Sequence, residues 1–334
     1  MARPTRRTTL ALASAALMAP LIPASAARGS EAPAALRRAW PETDFSRASV
    51  DFDEILSGGV ARDGIPALSD PALHPASEET RLEPREPVMT IELDGAEPRA
   101  YPLRYLTWHE IVNDTVAGIP VAVTFCPLCN SGLVFDRRAE GRVLEFGVSG
   151  LLRHSDMIMY DRQTFSWWQQ FTGEGIVGAL TGARLDPVVS WMESWSAFTE
   201  RSPGGLVMAE PTSHRRDYGR NPYVGYDTSA RPFLYRGENP PHGIHPLSRV
   251  LRVGARAWPL ERLAEAGEIE EDGLNIIWSD GMASALDGSV IAESRDTGQI
   301  RVREAGSGED VVHEVVFAFA FHAFEPAGRW MLGD

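Results

Sequence analysis

Val88-Met-Thr-Ile-Glu-Leu-Asp-Gly95, followed by Arg99-Ala-Tyr-Pro-Leu103, is echoed later in the chain by Val250-Leu-Arg-Val-Gly254 and Arg256-Ala-Trp-Pro-Leu260. Each instance reads as a strand, a Gly turn, a second strand and then a Pro that opens a short helix. The helices are expected over 103–112 and 260–266. A Gly-marked turn follows each (Gly118, Gly273), then an apolar strand, Val121–Phe125 in the first copy and Leu274–Trp278 in the second. This spacing predicts an internal repeat. The expected fold class is α+β, mainly β-strands with short helices, built as two related lobes from a degenerate internal repeat.

Between the copies, 143–149 and 157–160 read as strands, and 165–171 fits either strand or helix. A short amphipathic helix is expected over 191–198, and 215–236, rich in Tyr, Pro, Gly and Arg, reads as a long structured loop. The run 311–324 is strand-like and carries His313 and His322.

The N-terminus has the pattern of an export signal over 1–26. Arg3, Arg6 and Arg7 precede an apolar run from Leu10 to Leu21, and Ala24-Ser-Ala26 offers a cleavage site. Thr5-Arg-Arg-Thr-Thr-Leu10 approximates a twin-arginine motif, a route that exports chains already folded. The expected division is a flexible leader over 27–45, a main domain over 46–240 and a second lobe without cysteines over 241–334. The expected location is exported, periplasmic or extracellular.

The formal net charge is −14, and removing the three signal arginines takes it to −17. Such an acidic protein repels nucleic acid and anionic lipid, so neither nucleic-acid binding nor membrane insertion after signal removal is expected. All 32 basic residues are arginine, which excludes Schiff-base chemistry and a lysine-bearing phosphate loop. Partners are expected among small molecules or metal-handling proteins.

The only two cysteines, Cys126 and Cys129, form Cys-Pro-Leu-Cys directly after an apolar strand. The second copy has Ser279 and Met282 at those positions, so the thiols are not needed merely to hold the unit together. In thiol oxidoreductases such a pair opens a helix whose dipole lowers the thiol pKa. Here Asn130-Ser-Gly-Leu-Val-Phe-Asp136 reads instead as turn then strand, which undercuts that mechanism. A metal knuckle needs a tight turn closed by a residue tolerant of left-handed geometry, and Asn130 suits that place.

With no second cysteine pair, further ligands must be His, carboxylate or Met. His109 is the first choice and His322 the second, for copper or zinc, with Met157 or Met159 as a soft axial ligand for copper. Three readings stay open: a metal site, a redox-active thiol pair, and a Cys126–Cys129 disulfide beside a ligand-binding module. The last gains little stability from so tight a loop. Whether the protein is an enzyme is left open.

Arg153, Asp156, Asp161, Gln169, Gln170 and Glu174 lie among glycines and short strands and are expected to line a polar pocket. Asp156 and Glu174 are carboxylates of the kind a glycosidase pairs, but nothing in their spacing sets a separation. Trp167 and Trp168, adjacent in a strand, should point to opposite faces.

Phe125-Cys-Pro-Leu-Cys-Asn130, Phe146-Gly-Val-Ser-Gly-Leu-Leu-Arg-His-Ser-Asp-Met-Ile-Met-Tyr-Asp-Arg162 and Trp168-Gln-Gln-Phe-Thr-Gly-Glu-Gly-Ile-Val-Gly178 closely resemble an exported bacterial and archaeal family, domain-of-unknown-function family 3179. Trp108-His-Glu-Ile-Val-Asn-Asp114 and Asn221-Pro-Tyr-Val-Gly-Tyr226 are similar to its pattern too. The resemblance spans most of the chain and implies a site in these segments without implying an activity. His154 stands where that pattern usually has Asn, which counts against it as an essential ligand.

Overall fold

The computed structural model describes residues 31–333, so the signal expected over 1–26 and the start of the leader lie outside the described residues. In the first copy of the repeat, Pro87–Ile91 pairs with Arg99–Pro102, and Pro102 caps a helix over Leu103–His109. In the second copy, Arg249–Val253 pairs with Arg256–Pro259, and Pro259 caps Leu260–Ala266. Each helix is seven residues long and is followed by a meander. The first meander is Ile111–Val116, Ile119–Cys126 and Ser131–Asp136; the second is Glu268–Glu271, Leu274–Ser279 and Gln299–Glu304. The first helix therefore ends three residues earlier than expected, because the strand begins at Ile111.

The duplication extends further than the motif. Ser190–Ser194 lies antiparallel to Pro87–Ile91, leads into a helix over Trp195–Arg201, and Leu206–Met208 then pairs parallel to Arg99–Pro102. Glu314–Phe317, the helix Ala318–Phe324 and Arg329–Trp330 repeat that path on the second hairpin. Even a close packing recurs. A Cβ on Gly205 would come 2.6 Å from the Phe198 ring, and one on Gly328 would come 2.5 Å from the Phe321 ring.

The expectation of two lobes is nonetheless overturned. Among the described residues the protein is mainly β and 15% helical, and its five sheets of three to five strands, beside a two-stranded hairpin of Arg138–Ala139 and Arg142–Val143, are arranged as a five-bladed β-propeller. The short helices are as expected. The lobes do not separate because each copy's outer strand packs on the other copy's meander: Ser190–Ser194 on Gln299–Glu304, and Glu314–Phe317 on Ser131–Asp136. The fifth sheet, without counterpart in the repeat, consists of Ile55–Ser57, Phe146–Arg153, Asp156–Asp161, Trp167–Gln169 and Glu174–Val177. Asn113 fastens it to the first meander, its amide accepting from and donating to the backbone of Phe146.

The run 311–324 is not one strand. Glu314–Phe317 is a strand, and Ala318–Phe324 turns helical with His322 on it. Phe and Ala alternate there, yet Ala318 to Phe321 are all buried, so alternation carries no facing information. Three successive amides where this helix begins are satisfied from outside it, Phe317 by the Cys129 carbonyl, Ala318 by Ser248 and Phe319 by Pro246. Over 191–198, similarly, only the part from Trp195 is helix. Trp167 and Trp168 do face opposite ways, into two different apolar clusters, and both are fully buried.

The end of the segment expected as leader is packed. A helix spans Ala34–Ala39, and Trp40 is buried edge-on to Tyr160 and Trp167 at ring separations of 5.0 and 5.4 Å. No helix of the described residues is long and apolar enough to cross a membrane. Trp40→Ala is expected to cost about 3–5 kcal/mol, the range for deleting a buried large aromatic. A urea midpoint unchanged from wild type would show that this segment does not belong to the fold.

Candidate functional site

Cys126 ends its strand, and two tight turns carry the chain to Ser131. The Cys129 amide bonds the Cys126 carbonyl at 3.2 Å and the Asn130 amide bonds the Pro127 carbonyl at 3.3 Å. Asn130 takes the left-handed conformation, φ 52°, that the knuckle reading requires. Its side chain donates to the Val315 carbonyl at 2.7 Å, so the second copy clamps the turn. The next element is a strand, Ser131–Asp136, and no helix begins at either cysteine.

Both cysteines are buried free thiols. The hairpin turn of the fifth sheet faces them. Arg153 pairs with Asp156 across a two-residue loop in which His154 and Ser155 both have positive φ, 52° and 64°, the pattern of a type I′ turn. Asn is the favoured side chain at such a position, so His154 is a turn residue here. This turn delivers two groups to the thiols. The Cys129 thiol donates to the Ser155 carbonyl at 3.5 Å, and Cys126, Cys129 and a carboxylate oxygen of Asp156 lie within 4.8 Å of one another. Among the described residues this is the one such cluster of three His, Cys, Asp or Glu side chains.

Asp156 is fully buried. Its Oδ2 accepts from Gln169 at 2.6 Å and from the Phe171 amide at 3.0 Å, whereas Oδ1 has no hydrogen-bond partner. Burial pushes its pKa up to about 7, against the pull of those hydrogen bonds. Burial also raises the Cys126 thiol, and it raises Cys129 further, helped by Cys126 and Asp156. Unassisted, these thiols stay protonated at neutral pH.

Of the other pocket residues expected from sequence, only Gln169 joins the cluster. Arg153 instead bonds Glu54 at 2.6 Å. Asp161 accepts from Trp168 Nε1 at 2.9 Å and from Thr164, bracing a turn. Glu174 pairs with Arg184 at 3.2 Å, which leaves it no part in an acid pair with Asp156. Gln170 bonds Thr124 at 2.9 Å inside the first meander. Met157 and Met159 are core residues, although Met157 also borders the cavity described below.

Neither histidine joins the sulfurs. His109 is fully buried with both nitrogens engaged, Nδ1 with the Pro66 carbonyl and Nε2 with the Tyr218 hydroxyl, each at 2.7 Å. Burial holds its pKa down at about 4. His322 lies on the C-terminal helix, outside the cluster, with Nδ1 unpartnered.

Glu110 is the residue that sequence reasoning missed. It directly follows the first repeat helix with φ 60°, where the second copy has Gly267 with φ 71°. Glycine takes that conformation freely and glutamate does not, so the chain keeps a strained carboxylate there. Aligning the two copies residue by residue would have found it. Burial, with a smaller contribution from Asp156, pushes the Glu110 pKa up to about 8, and Tyr223 donates to it at 3.5 Å. Tyr226 donates to the Leu128 carbonyl at 3.0 Å, and Ser155 to the Phe233 carbonyl. The loop expected over 215–236 thus runs as a strap across the thiol turn, its one 3-10 turn being Tyr226–Thr228.

Under the strap lies a cavity of about 450 Å³, bordered by Leu128 from between the cysteines, Glu110, Met157 beside Asp156, and Tyr223 and Tyr226. A Cβ on Gly150, which carries a bulge at φ 77°, would meet the Val60 carbonyl at 2.2 Å, so this glycine lets the 58–61 segment cross the sheet.

These segments are the ones that carry the family resemblance. The model of a family described as "Protein of unknown function (DUF3179)" matches residues 62–328. The chain belongs to that family. Neither a curated protein nor a solved structure matches it. In this DUF3179 protein four segments within the matched span converge: the Cys-Pro-Leu-Cys turn, the segment with Glu110, the hairpin with Asp156 and the strap with Tyr223 and Tyr226 surround one buried point.

His109 allows a direct check. Its folded pKa lies below the unfolded value, so the unfolded chain binds the extra proton between about pH 4 and 6.5, and stability falls as pH drops through that window. The loss between pH 7 and pH 5 should be about 2 kcal/mol from this group. Urea midpoints of wild type and His109→Gln should converge towards pH 5; parallel pH profiles would contradict the buried neutral imidazole.

Proposed function

We propose that this protein binds a thiophilic metal ion, zinc foremost, through Cys126 Sγ, Cys129 Sγ and a carboxylate oxygen of Asp156, with a fourth position open to the cavity for water or a bound molecule. The observation that carries this reading is the cluster itself: two thiols and a carboxylate, all buried, with Asp156 Oδ1 unpartnered. A buried carboxyl with an unpartnered oxygen is costly, no basic group pairs with it, and a divalent cation that also takes the two sulfurs as thiolates is the natural complement. Mutual separations within 4.8 Å fit donors that close around an ion at roughly 2.0–2.3 Å each.

The donor chemistry favours zinc over copper. Two thiolates alone satisfy copper(I), and a carboxylate oxygen beside them suits zinc better. Closed four-ligand sites are structural, whereas three protein ligands with an open position support chemistry on a bound molecule. Glu110, on the cavity wall, is placed to exchange protons there. Metal-dependent chemistry fits this arrangement better than simple metal storage.

Thiol–disulfide exchange fits less well. The attacking group must be an accessible thiolate, and these thiols are buried with raised pKa values. Export by the twin-arginine route would suit the metal reading, because the chain would cross already folded and loaded, its thiols shielded from oxidation.

The full chain should hold one zinc per molecule. Cobalt substitution should give a thiolate charge-transfer band that disappears in the Cys126→Ser, Cys129→Ser double variant. Asp156→Asn should weaken binding by at least about tenfold, and affinity should fall with pH because the donors must lose protons. If zinc leaves both thiols freely reactive, or the purified chain is metal-free with a Cys126–Cys129 disulfide, the assignment is wrong. A thiolate-to-copper absorption band would reassign the ion and keep the site.

A further inference from the structure

The cavity beneath the strap is larger than a metal and its water require. Pockets of roughly 300–1,000 Å³ take small organic molecules, and this one holds about 450 Å³. Its walls are mostly apolar, with Ile65, Val148, Leu151, Leu152 and Met157 along its length. The two ends differ. The inner end carries the buried Glu110 carboxyl and the Tyr223 hydroxyl. The outer end carries Val60, 40% exposed, and Phe233, 46% exposed, so apolar surface is left facing solvent at the mouth.

Arg231 also lines this cavity and is exposed. It is the one basic residue on the wall, and among the described residues it makes no ion pair and no hydrogen bond. Most arginines among the described residues pair with acids, but none of the five over 215–236 does, and of these only Arg231 lines the cavity. An unpaired guanidinium beside exposed apolar side chains, at the mouth of an apolar cavity, matches a molecule with an apolar body and an anionic head.

The strap that walls the cavity is also fixed at two points. Asn221 anchors one end of the strap, donating from its amide to the Gly288 carbonyl at 3.1 Å and accepting from the Tyr223 amide at 2.6 Å. Asp227 is fixed by Arg249 at 3.0 Å and Arg295 at 2.9 Å. A wall fixed by the protein's own contacts spares a ligand the cost of ordering it.

We infer that this cavity binds an amphipathic carboxylate, its aliphatic chain lying along Val148, Leu152 and Met157 and its head group on Arg231. The inference stands on the cavity walls and not on the metal, so the two readings fail separately.

The test is isothermal titration of the full chain with decanoate, decylammonium and decan-1-ol. Decanoate should bind one to one and at least about tenfold tighter than decylammonium. Arg231→Ala should bring decanoate down to the affinity of decan-1-ol, and Val60→Trp should weaken it at least tenfold by filling the mouth. Both positions are exposed, so both variants should keep the wild-type thermal midpoint and zinc content. Equal binding of decanoate and decylammonium, or wild-type decanoate affinity in folded Val60→Trp, would overturn the inference. Decanoate binding to a chain that takes up no zinc would remove the metal reading alone.

Discussion

The structure depends on the contact between the Cys126–Ser131 turn and strand Glu314–Phe317. The Phe317 amide bonds the Cys129 carbonyl at 2.9 Å, and Asn130 reaches the Val315 carbonyl. Ser131 donates to Glu314 at 2.6 Å, and Arg252 pairs with the same buried carboxylate, also at 2.6 Å. Removing one member of a buried charged network leaves its partner uncompensated, at a cost of several kcal/mol. The first copy thus supplies the turn and the second supplies its clamp. The thiols are buried where the two copies and the hairpin turn of the fifth sheet meet.

The same interlock explains why only one copy carries cysteines. Strand Ile119–Cys126 is buried at every position from Pro120 onward, whereas Leu274–Ser279 alternates between buried and partly exposed. The second meander presents one face to solvent, and its equivalent of the thiol turn is replaced by the excursion over 280–298. The fifth sheet interrupts only the first copy, and its hairpin turn brings Ser155 and Asp156 to the sulfurs. The candidate chemistry therefore arises where an insertion meets one half of a duplicated frame. Sulfurs on the second meander would lack both the burial and the carboxylate.

Much of the frame was legible because its signals are local. Gly turns, the prolines before each helix and the apolar runs set the hairpins and meanders, and helix Leu260–Ala266 falls where the pattern placed it. The assembly was not legible. Ser131 and Glu314 are 183 residues apart, and no local period encodes their contact. The strand expected through His322 failed because a fully buried segment has no polar face to reveal its period. At the site, Cys126, Cys129, Asp156 and Gln169 were named from sequence. His109 was favoured because imidazole is a good ligand, but both its nitrogens are taken by Pro66 and Tyr218, and no sequence pattern records that. Glu110 was overlooked because a lone glutamate after a helix looks ordinary until the matching position in the second copy proves to be glycine.

The strap over the thiols is anchored by the copy that lacks them. Over the thiols the strap makes neutral hydrogen bonds, Tyr226 to Leu128 and Ser155 to Phe233, each contributing about 0.5–1.5 kcal/mol net. On its far side, Asp227 sits with a fully buried side chain between Arg249 and Arg295 and also accepts from Ser284 at 2.7 Å. Burial alone would raise its pKa, but the two arginines and Ser284 outweigh it and hold the carboxyl below its ordinary value, so it remains an anion near neutral pH. Pulling that carboxylate from two guanidinium groups costs far more than parting a tyrosine from a carbonyl. The strap is therefore bound more firmly to the second copy than to the thiol turn.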